Sequence, residues 1–462
     1  MSKHSTFIFV FMVSIIVVSS CKVTKGYQAP DIQYTDSFRG GGIGDTTTMA
    51  TLRWREIFTD TMLQRLIEKG ISQNLDLQMA YSRIRQAQSY YEQSRAAFLP
   101  DADANAAVAR TRLSKVQGFG VVSNFTEYQL GISAAWEADI WGRLSSTKRA
   151  SLASLLRTEA AARAIQSAIV SDIASLYYTL LALDQQLIIT RQTVRNWDTT
   201  VTTMRSLLDA ARVTEAAVVQ SEAQRYVAEV TIPDLSQQIR KTENALSILM
   251  GSPPFAIPRS RLADESAVAV LNTGIPAQLL ANRPDVKQAE QAYRYAFELT
   301  NVARTAFYPS LTITGSAGFS NSSLSGFFGA SSFGYSIAGG LLQPIFHQRL
   351  NKTNLEVAKE QQRVAWLGFQ NTLLVAGQEV SDALSLHVAA RNKMLVRGNE
   401  LAALQKSVDY TQKLLQNGFA NYTEVITARQ SLLAAELGTV DDKLQELQAI
   451  VSLYTALGGG WR

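Results

Sequence analysis

The chain has 462 residues, 46% hydrophobic and 18% charged, an apolar and charge-poor balance for a protein long enough to hold two or three ordinary domains or one elongated one. Mean hydropathy of −0.02, with no uninterrupted apolar run of the roughly 20 residues that a spanning helix needs beyond the N-terminal leader, excludes a polytopic helical membrane protein, and the apolar content excludes a disordered chain. One cysteine and three histidines exclude an internal disulfide and leave almost no material for a His/Cys metal cluster, and 44 basic against 39 acidic residues, spread along the chain, make no electrostatic case for nucleic acid.

Residues 1–20 read as a secretion signal, with Lys3 and His4 as the basic start and Phe7 to Val18 as an apolar core too short to span. The run ends Val18-Ser19-Ser20-Cys21, which resembles the bacterial lipobox. In that motif the cysteine thiol is acylated and becomes the first residue of the mature protein. An ordinary signal with a chance cysteine is the alternative; the only cysteine of the chain falling at this position favours lipidation of Cys21, palmitate included. A single acyl chain binds a membrane weakly and two or more hold it stably. Lys22, where an Asp would favour inner-membrane retention, leans toward the outer membrane.

Residues 21–58 follow as an N-terminal segment, and then the chain repeats itself at an offset of about 207. Arg95-Ala96-Ala97-Phe98-Leu99-Pro100 pairs with Arg304-Thr305-Ala306-Phe307-Tyr308-Pro309, Arg143-Leu144 with Arg349-Leu350, Leu207-Leu208 with Leu414-Leu415, and Leu246 through Gly251 with Leu453 through Gly458. Their common order marks a duplication, with halves at 59–251 and 276–458, a linker at 252–275 and a tail at 459–462. Each half reads helix, two strands, very long helix, second long helix. The first helices run over about 75–97 and 285–306, and Pro100 and Pro309 stop them.

Strands are expected at about 100–112 and 125–139, then at 309–320 and 333–346. Leu130, Ile132, Ala134 and Trp136 alternate with Gln129, Gly131, Ser133 and Glu137, and Leu311, Ile313 and Gly315 alternate with Thr312, Thr314 and Ser316. This is strand periodicity with one apolar and one polar face. The long helices are expected at about 146–209, 214–250, 350–416 and 421–457. Ser146 to Asp209 holds no proline or glycine and could form one helix of about 90 Å. Leu433, Leu437, Val440, Leu444, Leu447, Val451 and Tyr454 step by 4 and 3 in alternation, a coiled-coil seam. Pro233 should kink the second long helix of the first half, whereas its counterpart Val440 should not.

Four amphipathic strands of membrane-crossing length next to a lipid anchor suggest a transmembrane barrel. Aromatics bracket them as interface girdles would: Phe98, Trp136, Trp141, Phe307, Tyr308 and Phe346 at one end, Phe119, Phe125, Phe327, Phe333 and Tyr335 at the other. A soluble four-stranded sheet packed on helices is the competing reading. Four strands cannot close a barrel, and open edges are not tolerated in lipid, so a membrane reading requires several chains. Two would give a filled barrel and three could leave a wet lumen, which suits Asp101 and Asp103 on the polar face.

Several segments together resemble one family. Gly274-Ile275-Pro276, Leu279-Leu280, Arg283-Pro284-Asp285-Val286 and Glu290 resemble the most recognisable segment of the outer membrane factors, the TolC-like efflux channels, and within them the lipoprotein (NodT-type) branch that serves resistance-nodulation-division pumps. Asn74-Leu75-Asp76-Leu77, Trp136 through Arg143 and the ending Ala456-Leu457-Gly458-Gly459-Gly460-Trp461 fit the same pattern. The resemblance implies an α+β membrane protein: a homotrimeric twelve-stranded β-barrel, four strands per chain, continued by a long α-helical coiled-coil barrel. An equatorial layer would come from the N-terminal segment, the 252–275 linker and the C-terminus. It implies outer-membrane localisation with the helical barrel in the periplasm, and as partners a periplasmic adaptor (membrane fusion) protein and an inner-membrane transporter.

The same resemblance directs attention to the turns between paired long helices, which in the family close the periplasmic end and meet the adaptor. They are Asp209 through Glu215, with Ala211, Arg212 and Val213, and Gln416 through Glu424, with Gly418, Phe419 and Ala420. Gly418 suits a left-handed helix end; Ala211 stands where the family often has glycine, so the two turns are expected to differ in shape. Glu424 falls at an acidic position that lines the constriction, where three-fold symmetry would make a carboxylate ring favouring cations. Asn421 and Glu424 also have the spacing of a capping box. Thr427 replaces a second acidic gate position, and Leu415 and Ala420 replace an aromatic and an arginine that tie some members shut. His347 and His387 have no partners at metal-ligand spacing, and no cofactor, metal site or catalytic constellation is expected. The expected function is a passive exit duct of a tripartite efflux pump, with a type I secretion duct or a lipid-anchored coiled-coil scaffold without a pore as alternatives.

Overall fold

The computed structural model describes residues 23–29, 38–39, 48–114, 116, 123–265, 273–274 and 276–462. The signal at 1–20, Cys21 and Phe119 lie outside the described residues. In chain order the main elements are α1 (Thr61–Gln73), α2 (Leu75–Ala96), β1 (Asp101–Leu113), β2 (Ser123–Ala138), α3 (Arg143–Asp209), α4 (Glu215–Glu229), α5 (Thr231–Leu249), α6 (Pro284–Thr305), β3 (Ser310–Asn321), β4 (Phe333–Leu342), α7 (Leu350–Gln416) and α8 (Tyr422–Ala456). They fall into two compact units, one from residues 1–31, 83–158 and 288–369, the other from 32–82, 159–287 and 370–462.

The first unit holds the sheet, antiparallel throughout in the order β1-β2-β3-β4. Its register keeps the two faces separate. Asp103 pairs with Ser133, Ser133 with Ser316 and Ser316 with Ser336, so one face is polar. Trp136 pairs with Ile313, Ile132 with Ala317 and Ala317 with Tyr335 on the other, apolar and uncovered. Phe125 pairs with Thr111 and so falls in phase with the polar face, unlike the girdle expected of it. Phe327 is also no girdle residue: it is buried and packs edge-on against Phe328 at 5.0 Å, within a cluster that includes Phe319 and Phe333. At the other end, Trp136 Nε1 donates to Phe98 O (2.9 Å) and Trp141 Nε1 to Pro309 O (2.7 Å), fixing the strand roots. β4 ends at Leu342, short of the expected 346, because Pro344 cannot donate to the ladder. The passages into the long helices use left-handed backbone, at Gly142 in the first half and at Gln348 and Arg349 in the second.

The second unit is helical. It takes the larger part of α3 and of α7, which each run 67 residues and begin in the first unit. α3 contains an 18-residue stretch apolar enough by composition to cross a bilayer, half of it buried. Ile169, Val170, Ile173, Tyr177, Leu180 and Leu181 lie in the helix-packed core, which accounts for that character. The second long helix of the first half is divided into α4 and α5 at Val230, three residues before Pro233. The proline ring conflicts with the carbonyl four residues earlier, at Glu229, and removes its hydrogen bond, so the break falls there. α8 continues unbroken through Val440.

The linker and C-terminus are fastened by arginines and glycines. Arg259 donates to Asp184 (2.5 and 2.9 Å), Glu243 (2.6 Å) and Ile257 O (2.9 Å). Arg283 donates to Asp285, to Glu379 (2.6 Å) and to Ala456 O (2.8 Å). Gly458 (φ +94°) passes so close to Asn282 that a Cβ would stand 2.5 Å from its carbonyl carbon, and Trp461 Nε1 donates to Asn282 O (3.0 Å).

Candidate functional site

The two helix–helix turns of the second unit are built alike. At the first, Ala211 N–H donates to Leu208 O and Arg212 N–H to Leu207 O, both at 2.8 Å. At the second, Gly418 N–H donates to Leu415 O (3.1 Å) and Phe419 N–H to Leu414 O (2.9 Å). Each is a helix end that turns back through one left-handed residue, Ala211 at φ +57° and Gly418 at φ +79°. The expected difference in shape is therefore absent: the paired bonds hold Ala211 in the conformation that glycine takes more cheaply.

Beneath the turns, Met204, Ala217 and Val218 form a small core with Leu207, Leu208, Val213, Leu415 and Tyr422 around it. Leu415 and Val213 thus belong to packing. Arg212, Gly418 and Phe419 face solvent, Phe419 at 82% exposure, and Ala420 is half-buried. Arg212 Nη1 reaches Gln416 O at 3.4 Å, linking the two turns. Asn421 caps α8, its Oδ1 accepting from Thr423 N–H at 3.3 Å. The reciprocal half of the capping box is missing: the exposed Glu424 carboxylate takes no hydrogen bond among the described residues, and Thr427 is exposed beside it. Glu424 is left free to act as a charge.

Pattern reading missed the braces above these turns. Arg205 pairs with Glu222 (2.6 Å) and Arg225 with Asp198 (2.5 Å), joining α3 to α4, and Gln430 Nε2 donates to Gln224 Oε1 (2.6 Å). No local spacing announces them, because each links different helices. Arg429 donates to Gln412 (3.0 Å) and lies over Trp197, and burial holds its guanidinium below the ordinary arginine value.

In the first unit the polar sheet face carries Asp101, Asp103, Glu127 and Glu137 and no basic residue among the described positions. Glu137 is paired with Arg143 (2.5 Å), and Glu127 accepts from Gln129 and Ser320 (2.8 Å each). Asp101 and Asp103 are exposed and have no ion-pair partner among the described residues. Among the described residues no cluster of His, Cys, Asp and Glu could hold a metal ion.

An amphipathic four-stranded sheet repeated as two hairpins, with paired long helices ending in matched turns, is the architecture of an outer-membrane channel. A family model described as "Outer membrane efflux protein" matches residues 66–252 and 275–459, and the chain belongs to that family. Among curated relatives, the solvent efflux pump outer membrane protein SrpC of Pseudomonas putida is 30% identical, with 97% of each chain covered. The cation efflux system protein CusC of Escherichia coli (strain K12) is 28% identical over 96% of this chain and 97% of its own. A crystal structure of CusC superposes with a TM-score of 0.87 at 27% identity, covering 95% of this chain and all of that one. A membrane protein from Pseudomonas aeruginosa gives 0.88 at 26%, with the same coverage. The protein is an outer-membrane efflux channel of α+β fold, each chain supplying four strands of a twelve-stranded barrel, with the helical part in the periplasm.

Proposed function

We propose that three copies of the chain form the duct, anchored by acylated Cys21, and that it receives cargo from a periplasmic adaptor and an inner-membrane transporter of the resistance-nodulation-division class. The reading of three copies rests on what one copy leaves open. β1 and β4 are the two edges of the sheet, and neither pairs with a further strand among the described residues. An edge in lipid is untenable, so the neighbouring copy supplies the partner. α7 likewise exposes Val364, Leu367, Leu374, Val388 and Leu395, with Leu367, Leu374, Val388 and Leu395 in heptad phase, a coiled-coil line left exposed among the described residues.

The exposed turn residues Arg212, Gly418 and Phe419, with Ala211 and Ala420, are the contact surface assigned to the adaptor, and Glu424 the pore-facing charge. The domain division runs as the duplication suggests: halves at 59–251 and 276–458 joined by an equatorial linker at 252–275. Cysteines placed on β1 and β4, for example Ala104→Cys with Ile337→Cys, test the assembly. Crosslinked trimers on oxidation and pore conductance in planar bilayers are expected. Monomers without conductance would leave only a periplasmic scaffold. Phe419→Asp should abolish adaptor crosslinking while leaving conductance intact.

A further inference from the structure

Residues 23–29 lie against α6 in the first unit, and one side chain grips them by the backbone. The Asn301 carboxamide accepts from Lys25 N–H (3.1 Å) and donates to Lys25 O (2.9 Å), as a neighbouring strand would. Its second amide proton goes to Glu298 Oε2 (3.2 Å), and its oxygen also accepts from Arg304 (3.1 Å). All four hydrogen-bonding capacities of the amide are thereby used, and a flipped amide would set its oxygen against a carboxylate and a carbonyl. Glu298 is itself fixed, accepting from Arg149 Nε (2.8 Å), while Arg149 also donates to Ser146. Both Glu298 and Asn301 are fully buried. Two further contacts seat the strap on either side. Thr24 packs on Gly142, where an added Cβ would stand 3.1 Å from its hydroxyl. Tyr27 packs on Phe297 (5.6 Å) and Tyr293 (6.0 Å) under the Arg294 guanidinium.

Burying a carboxylate and an amide side by side is costly unless both serve a partner. Here the partner is the main chain of one strap residue, the N–H and C=O of Lys25, and its side chain is irrelevant: Lys25 points out and is exposed. We infer that Asn301, oriented by Glu298 and Arg149, is a main-chain clamp that seats the strap in a single register and fixes where the anchor leaves the channel wall. Four peptide units separate Cys21 from Lys25, a reach of at most about 14 Å, and Asn301 lies nine residues before β3 begins. A pull on the anchor is therefore delivered to the strand root and not to a loose tether. The last step rests on the acylation of Cys21 proposed above; the clamp does not.

The test uses the full-length channel in detergent and reads chymotryptic cleavage after Tyr27 by mass spectrometry, beside the melting of the oligomer. Lys25→Ala keeps both main-chain bonds and should match the wild type. Lys25→Pro removes the N–H and Asn301→Ala the carboxamide, and each should speed cleavage by about ten-fold or more. If Asn301→Ala fails to accumulate, Lys25→Pro decides alone, since it leaves the buried residues of α6 intact. Equal resistance of Lys25→Pro and wild type, or equal sensitivity of Lys25→Ala and Lys25→Pro, overturns the clamp. Metabolic palmitate labelling of wild type against Cys21→Ser reports on the anchor separately: an unlabelled wild type overturns the anchor while the cleavage ranking still judges the clamp.

Discussion

Ala211 holds a backbone conformation that costs an L-residue with a Cβ about 1 kcal/mol more than glycine. Ala211→Gly should therefore raise the thermal midpoint, and Gly418→Ala should lower it by a similar amount, with scanning calorimetry in detergent as the check; Gly418 has open space around it, so the loss would be conformational and not steric. A second residue-scale consequence concerns Asp60 and Glu265 in the second unit. Asp60 caps α1 through Met62 N–H (2.8 Å) and accepts from Tyr177 OH, which in turn accepts from Ser260 N–H (3.0 Å). Burial alone would raise the Asp60 carboxyl, but these bonds outweigh it and hold Asp60 below its ordinary value. Burial, and then the Asp60 carboxylate, push Glu265 up to about 7; Lys443 opposes the shift and Asp264 adds to it. Between its unfolded value of 4.5 and about 7, Glu265 is protonated when folded and ionised when unfolded, so stability falls as pH rises through that window and levels off above it. Asp60 acts with the opposite sign, at lower pH. Glu265→Gln keeps a donor for Asp60 and should flatten the decline between pH 5 and 7, with a higher melting midpoint at pH 8; an unchanged pH profile would mean that the pair does not share a proton.

At the scale of elements, the division of α4 from α5 follows from one residue. Pro233→Ala restores an N–H and removes the clash with Glu229, so the two should fuse into one helix like α8. The observable is hydrogen exchange: amide protection should rise at Val230 through Asp234 and stay level elsewhere. The location of this break was legible as Pro233, within three residues; only the backward reach of the ring, four positions to the carbonyl of Glu229, places the helix end there and the break at Val230. Strand faces were legible from alternation because the pleat has a fixed period, and the register then carried Phe125 to the polar face, which residue type alone could not reveal. The fastenings were not legible at all. Lys25 and Asn301 stand 276 residues apart, Arg283 and Glu379 are 96 apart, and Arg259 and Asp184 are 75 apart. Local periodicity records which face of an element is buried, and nothing about which distant group it meets. The matched turns were misjudged for a related reason: a pair of backbone bonds, invisible in residue type, outweighs the preference of alanine.

For the whole molecule, three-fold assembly would make two acidic rings, one in each unit. Asp101 and Asp103, two per chain, give six carboxylates on the polar face of the sheet, while Glu424 gives three at the helix turns. Both favour cations, but they should differ in how salt affects them. A twelve-stranded wall encloses a wide lumen, and charges on it are screened over about 8 Å at physiological ionic strength and about 3 Å at 1 M salt. Charges that meet in a constriction act on ions at closer range and escape that screening. Asp101→Asn with Asp103→Asn should therefore lower the cation-to-anion permeability ratio in bilayers at 0.1 M salt and have little effect at 1 M. Glu424→Gln should lower the ratio at both concentrations and relieve block by divalent ions. Should Glu424→Gln leave selectivity and divalent block unchanged, the carboxylate does not line the pore, and the solvent-facing position of Glu424 would belong to the adaptor-facing surface with Phe419.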